Sequence, residues 1–130
     1  MSTFKQYKKL ETEKSRLIRQ LKTIKKMIRG TYVQTHRKCG KPNCRCAKEV
    51  EGHPSYQISW TKDGRSRSKA IPKEDIPWIK EMTGNYKQWR TLRSKIRKLT
   101  DEERKLLDLE EEKLIQKTEN LRNYFTKKPA

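Results

Sequence analysis

The sequence predicts an α+β chain, mostly α, in which long, coiled-coil-like basic helices flank a small zinc-stabilised β-hairpin module. Three observations lead there. Residues 3–29 contain no glycine or proline and repeat apolar residues at alternating spacings of three and four. Residues 55–71 alternate with period two on either side of Asp63-Gly64. All three cysteines, Cys39, Cys44 and Cys46, fall within eight residues, with His36 before them and His53 after. The chain then divides into an N-terminal basic helix (1–29), a zinc loop and β-hairpin (30–72), a second basic helix (73–99) and an acidic C-terminal helix and tail (100–130).

The first helix is expected to begin at a capping box, Thr3 with Gln6, and to stop at Gly30. Its seam is Tyr7, Leu10, Leu17, Leu21, Ile24 and Ile28, broken only by Lys14, and basic residues cover the rest. So thin a seam needs a partner helix, and the segment 79–96 is the expected one, packed antiparallel. Thr31–Thr35 is short and β-prone. Ser55–Trp60 and Arg65–Ile71 form a hairpin around the two-residue turn Asp63-Gly64. That turn sets Trp60 opposite Arg67, Ile58 opposite Lys69 and Tyr56 opposite Ile71. One face is then aromatic, aliphatic and basic; the other carries Gln57, Ser59, Thr61, Ser66, Ser68 and Ala70. Tyr56, Ile58 and Ile71 read as core. Trp60 beside Arg67 suits either core or a platform on which a base could stack.

Pro72 ends the hairpin, and Asp75-Ile76-Pro77 reads as a helix entry. The seam that follows is Ile79, Met82, Tyr86, Trp89, Leu92 or Arg93, and Ile96, weakened at Gly84. Thr100 to Glu103 forms another capping box, which marks a break or the start of a last helix, Asp101 to Phe125. That helix would turn Leu107, Leu114, Thr118, Leu121 and Phe125 to one side. Its acidic run Glu110–Glu112 suits pairing with a basic helix, in this chain or in a second copy as a homodimer.

The cysteine cluster reads as a metal site. The spacing Cys-x4-Cys-x-Cys-x6-His supplies Cys39, Cys44, Cys46 and His53, a full tetrahedral set for structural Zn2+. Gly40 and Pro42 suit the tight backbone that gathers thiolates. His53, in the rigid Gly52-His53-Pro54 turn, is preferred over His36, which ends a strand. A disulfide would leave one cysteine over. A cysteine nucleophile would lack an orienting acid, and three free thiols would be a redox liability.

Net charge is +18, with 34 Lys+Arg against 16 Asp+Glu. Residues 1–29 carry +8, 30–72 carry +6, 73–99 carry +5 and 100–130 carry −1. Such an excess repels itself, and a polyanion that neutralises it is the economical partner. The residues expected to contact nucleic acid are Lys22, Lys25, Lys26 and Arg29; Arg37, Lys38, Lys41 and Arg45 around the cysteines; Trp60, Arg65, Arg67 and Lys69 on the hairpin; and Arg90, Arg93 and Arg97 on the second helix. No apolar run is long enough to span a membrane, and the polar start reads as no signal peptide, so a cytoplasmic protein is expected.

The run Arg29-Gly-Thr-Tyr-Val, the core Cys39-Gly-Lys-Pro-Asn-Cys44-Arg-Cys46, Gly52-His53-Pro54 and Ile71-Pro-Lys-Glu-Asp75 together resemble a family of small prokaryotic proteins classed as a domain of unknown function. The likeness spans about residues 29–99, with a helix on each side. It implies that the three cysteines and His53 act as a unit, and it brings no activity with it. Zinc knuckles are similar in ligand type but differ in spacing.

Three functions compete. A zinc-stabilised protein would bind duplex DNA as an accessory factor (of a mobile element, for instance), a regulator or an architectural protein. An RNA-binding or ribosome-associated protein would stack exposed aromatics on single-stranded bases. A coiled-coil zinc adaptor would bind a partner enzyme that handles nucleic acid. Catalysis is not expected, because four ligands close the zinc and no histidine is left with a carboxylate partner. DNA is favoured over RNA because the basic helices suit a duplex backbone.

Overall fold

The computed structural model describes residues 2–37, 52–122 and 124. It is α+β and mostly helical: helix α1 (Thr3–Thr23), strands β1 (Thr31–Arg37), β2 (His53–Lys62) and β3 (Arg65–Ala70), a 3-10 turn (Lys73–Asp75) and helix α2 (Ile76–Leu121). The chain separates into two compact units, one of residues 1–23 and 92–130, the other of residues 24–91. Among the described residues, no helix is long and apolar enough to cross a membrane.

The unit of residues 24–91 is built on an antiparallel sheet in the order β1-β2-β3. Asp63 and Gly64 both take positive φ, 53° and 75°, which is the conformation the two-residue hairpin turn requires. The resulting register pairs Trp60 with Arg67 and Ile58 with Lys69, as expected, and the Ile71 amide extends the ladder by donating to the Tyr56 carbonyl at 2.9 Å. β1 adds the third strand, with Tyr32 opposite Ile58 and Arg37 opposite His53. Tyr32 and Tyr56 stack with centroids 6.2 Å apart.

The first helix stops at Thr23, six residues short of the expected Arg29. Tertiary bonds take over where the helical ladder ends. Within this unit the Ile28 amide donates to the Met82 carbonyl at 3.2 Å, and Asn85 Nδ2 donates to the Lys26 carbonyl at 3.0 Å. Gly30 is therefore not a helix stop but a seat on the sheet. Its φ is +126°, and a Cβ there would meet the Ser59 carbonyl oxygen at 2.8 Å.

The other unit is helical. The α1 cap is Ser2 rather than Thr3: Ser2 Oγ accepts from the Lys5 amide at 3.2 Å, while Thr3 lies buried inside the first turn. Leu17 is buried, and Tyr7, Leu10 and Leu21 are half-buried, as the seam predicts. Lys14, the misfit in that seam, donates from Nζ to Glu103 Oε1 at 2.6 Å. Leu10 and Leu106 line one groove, so residue numbers rise along α1 as they fall along α2, and the two run antiparallel. Within this unit the partner of α1 is the stretch of α2 from Leu92 onward, which shares residues 92–96 with the expected segment 79–96.

No break occurs at Thr100. Its hydroxyl donates back to the Ile96 carbonyl at 3.0 Å, inside a continuous 46-residue helix. Unbroken phase carries the stripe Leu92, Ile96, Leu99, Glu103 and Leu106 inward, and resolves the Leu92-or-Arg93 alternative for Leu92. Leu107, Leu114, Thr118 and Leu121, expected on one side of the last helix, are exposed for the same reason, and Phe125 lies outside the described residues. Glu103, the last residue of the expected capping box, is buried. Arg16 pairs with Glu13 one turn away, and its hydrogen bond, helped by the positive field of Arg16 and Lys95, holds the Glu13 carboxyl below its ordinary range.

Candidate nucleic-acid interface

Strand alternation sorts the hairpin into two faces. Arg65, Arg67 and Lys69 share a face with Trp60, Ile58 and Tyr56, and all three cations are exposed on the edge strand β3. Charges on an edge strand also block edge-to-edge pairing, so part of their presence is explained without a ligand.

The first turns of α2 and the start of β1 enclose a cavity of about 550 Å³ within the unit of residues 24–91. Helical periodicity makes one wall: Lys80, Thr83, Gly84, Lys87 and Thr91 recur on one side of α2, with Tyr86 and Arg90 beside them. Gly30, Thr31 and Tyr32 make the other wall. A second cavity of about 220 Å³ shares Gly30, Thr31, Tyr86 and Arg90 with the first and is closed by Arg29, Ser59, Trp60 and Thr61. Among the described residues, the lining of both contains Lys80, Lys87, Arg90 and Arg29 and no carboxylate.

Two of these cations are held over rings. Lys80 Nζ sits 5.1 Å from the Tyr32 centroid and Arg90 Cζ sits 5.5 Å from the Tyr86 centroid. Arg90 Nη1 also donates to the Tyr86 hydroxyl at 3.0 Å. A ring face attracts a cation without cancelling its charge, so both groups are positioned and still able to meet an anion. The Tyr32 hydroxyl is buried with no hydrogen-bond partner among the described residues.

Of the residues expected to bind nucleic acid, Arg29, Trp60 and Arg90 come together at the smaller cavity, although they are far apart in sequence. Arg65, Arg67 and Lys69 form the β3 row on Trp60's face of the sheet. Lys25 and Lys26 are exposed on the link that precedes β1. Lys22, Arg93 and Arg97 are exposed in the helical unit and belong to no part of this site. Arg37 ends β1. Lys38, Lys41 and Arg45 lie outside the described residues. Lys80, Gly84, Tyr86 and Lys87 complete the site without having been singled out as ligand contacts. The trace they leave in the sequence is cations and small residues recurring at three, four and seven along one helix.

Cys39, Cys44 and Cys46 also lie outside the described residues. Among the described residues, no group of three histidines, cysteines or acids is placed to hold a metal. His53 opens β2 opposite Arg37, and His36 stands opposite Pro54, one position on. The two histidines therefore project from opposite faces at the same end of the sheet. The cysteine-bearing segment joins two directly paired strand positions, so its ends are held one strand spacing apart, about 5 Å.

The chain belongs to the family described as a domain of unknown function (DUF6788), whose model matches residues 7–81. That span runs from α1 through the sheet into the cavity-lining turns of α2, and begins well before the residue 29 at which the sequence resemblance was placed. No curated protein and no solved structure matches the chain.

Proposed function

We propose that the protein is a zinc-stabilised, non-catalytic nucleic-acid-binding factor that takes duplex DNA in an accessory, regulatory or architectural role in the cytoplasm. One observation carries the reading. Residues 24–91 hold 16 Lys+Arg against 6 Asp+Glu, and none of the three ion pairs between described residues falls there. A positive surface with no ion pair between its described residues, and arranged around aromatic rings, suits a phosphate backbone. Few of its groups can read base edges, so affinity comes from phosphates and sequence preference is slight. In this reading α1 and the distal part of α2 form a coiled-coil-like pair, and the acidic end of α2 offers a surface for a second copy.

Binding to a 20-bp duplex across a salt series tests it. Each phosphate neutralised contributes about −0.9 to the slope of log affinity against log salt, so six to ten contacts give a slope steeper than roughly −5. A slope near zero, or RNA held much more tightly than duplex DNA at equal salt, removes the reading.

The zinc part stands on the donor set. Three thiolates and one imidazole, Cys39, Cys44, Cys46 and His53, are a complete structural set, and strand pairing holds the ends of their segment together. Bound zinc would close that segment and couple its order to the metal. Elemental analysis of protein purified without added metal is expected to find one zinc per chain, lost in Cys44→Ser. No zinc, with all three thiols reactive in the folded protein, refutes it.

A further inference from the structure

The larger cavity has a more specific use than attracting a backbone. We propose that it receives a single unpaired nucleotide of a DNA strand, with its base among the rings and its phosphate on the cations; the inference rests on the nucleic-acid reading above.

Three features point to this ligand. The first is polarity: Lys80, Lys87 and Arg90 line the cavity with no carboxylate among the described lining residues, which selects an anion. The second is aromatic lining: Tyr32 and Tyr86 hold Lys80 and Arg90 over their faces at fixed places, so a base can lie against the ring edges and the Arg90 guanidinium while a negative charge meets the cations. The third is space. Gly84 sits in mid-helix, where glycine weakens the helix, and a Cβ built there meets nothing within 4 Å. The helix thus forgoes a side chain where the cavity needs room. At about 550 Å³ the space falls in the range of small-ligand sites, and a duplex with both its backbones is too wide to enter it. An intact duplex can lie across this surface but cannot enter, whereas an extruded or unpaired nucleotide can.

The experiment compares full-length protein on two probes at matched salt: a 20-bp duplex, and the same duplex carrying one extra unpaired thymidine. Stacking and phosphate contacts in the cavity should make the bulged probe bind about five-fold tighter or more. Gly84→Leu should place a side chain in the cavity and bring the ratio of bulged-probe to perfect-duplex affinity to about one, with the helix kept because leucine is a good helix former. Equal affinity for the two probes, or a bulge preference that survives Gly84→Leu, overturns the proposal. Free dTMP binding as tightly as the bulged probe also overturns it, in favour of a soluble nucleotide. If the perfect duplex itself fails to bind, the general nucleic-acid reading has failed; if only the bulge preference is missing, the cavity inference alone has.

Discussion

The two units place their positive charge differently. In the helical unit cations meet acids: Lys14 reaches Glu103, Arg16 pairs with Glu13, and Arg104 lies 3.5 Å from Asp101. Among the described residues of the unit 24–91 the cation contacts are with rings, Lys80 on Tyr32 and Arg90 on Tyr86. An ion pair cancels charge at short range, whereas a ring fixes a cation and leaves its field intact. Part of the basic excess in the helical unit is thus absorbed by its own acids, whereas no ion pair joins two described residues of the other unit. All three tryptophans, Trp60, Trp78 and Trp89, lie in residues 24–91, so indole fluorescence follows that unit and far-UV dichroism mainly follows the helices.

The largest separation of the two should come from Gly30→Val. The substitution combines a positive φ with a Cβ 2.8 Å from the Ser59 carbonyl oxygen. Backbone strain and overpacking together should cost about 2–4 kcal/mol. The fluorescence transition should move to much lower denaturant. Equal stability of the variant would mean that Gly30 is not seated on β2 as described.

Glu103→Ala tests the helical side. It leaves Lys14, whose side chain is 24% exposed, facing a site where the Glu103 side chain was 8% exposed. A part-buried charge-assisted hydrogen bond of this kind should cost about 2 kcal/mol when one partner is removed. The loss should appear in dichroism. The double variant Lys14→Met with Glu103→Leu should recover most of it, since an apolar pair completes the Leu10–Leu17 seam. A double variant no better than Glu103→Ala would show that the pair does more than fill the seam.

A smaller change of opposite sign is expected from Gly84→Ala, which should stabilise the chain by about 0.5–1 kcal/mol by restoring helix propensity at a site with open space. The gain should show in the fluorescence transition. A loss of stability would mean that the wall of the cavity is closed.

The smallest effect is electrostatic and belongs to the helical unit. Glu13 is held below the ordinary carboxylate range in the folded chain, first by its hydrogen bond to Arg16. A depressed folded value stabilises above the unfolded value and is lost as pH falls through the folded one. Glu13→Gln should therefore melt slightly below the parent at pH 7, and the difference should vanish towards pH 3, below the usual carboxylate range of about 4. A difference unchanged between those pH values would show that the Glu13–Arg16 contact is not ionic.

Local chemistry determined much of this protein. Asp63-Gly64 demanded positive φ at two successive residues, and from that requirement alone the whole β2–β3 register followed. The seam of α1 and the α2 entry at Ile76 were legible because helical period and proline placement act within a few residues. The charge excess was legible from composition. What depended on distant partners was not legible. Residues 24–28 read as helix until the Met82 carbonyl and Asn85 offered bonds from far along the chain. Thr100-x-x-Glu103 has the letters of a capping box, yet Lys14 across the helical unit draws Glu103 into the seam, so the helix continues. The cavity was hidden for the same reason: Lys80, Gly84 and Lys87 look like one more solvated helix face until β1 sets Gly30 and Tyr32 against it. A sequence displays the bonds that residues can make with near neighbours, and only the fold decides which distant group arrives to replace them.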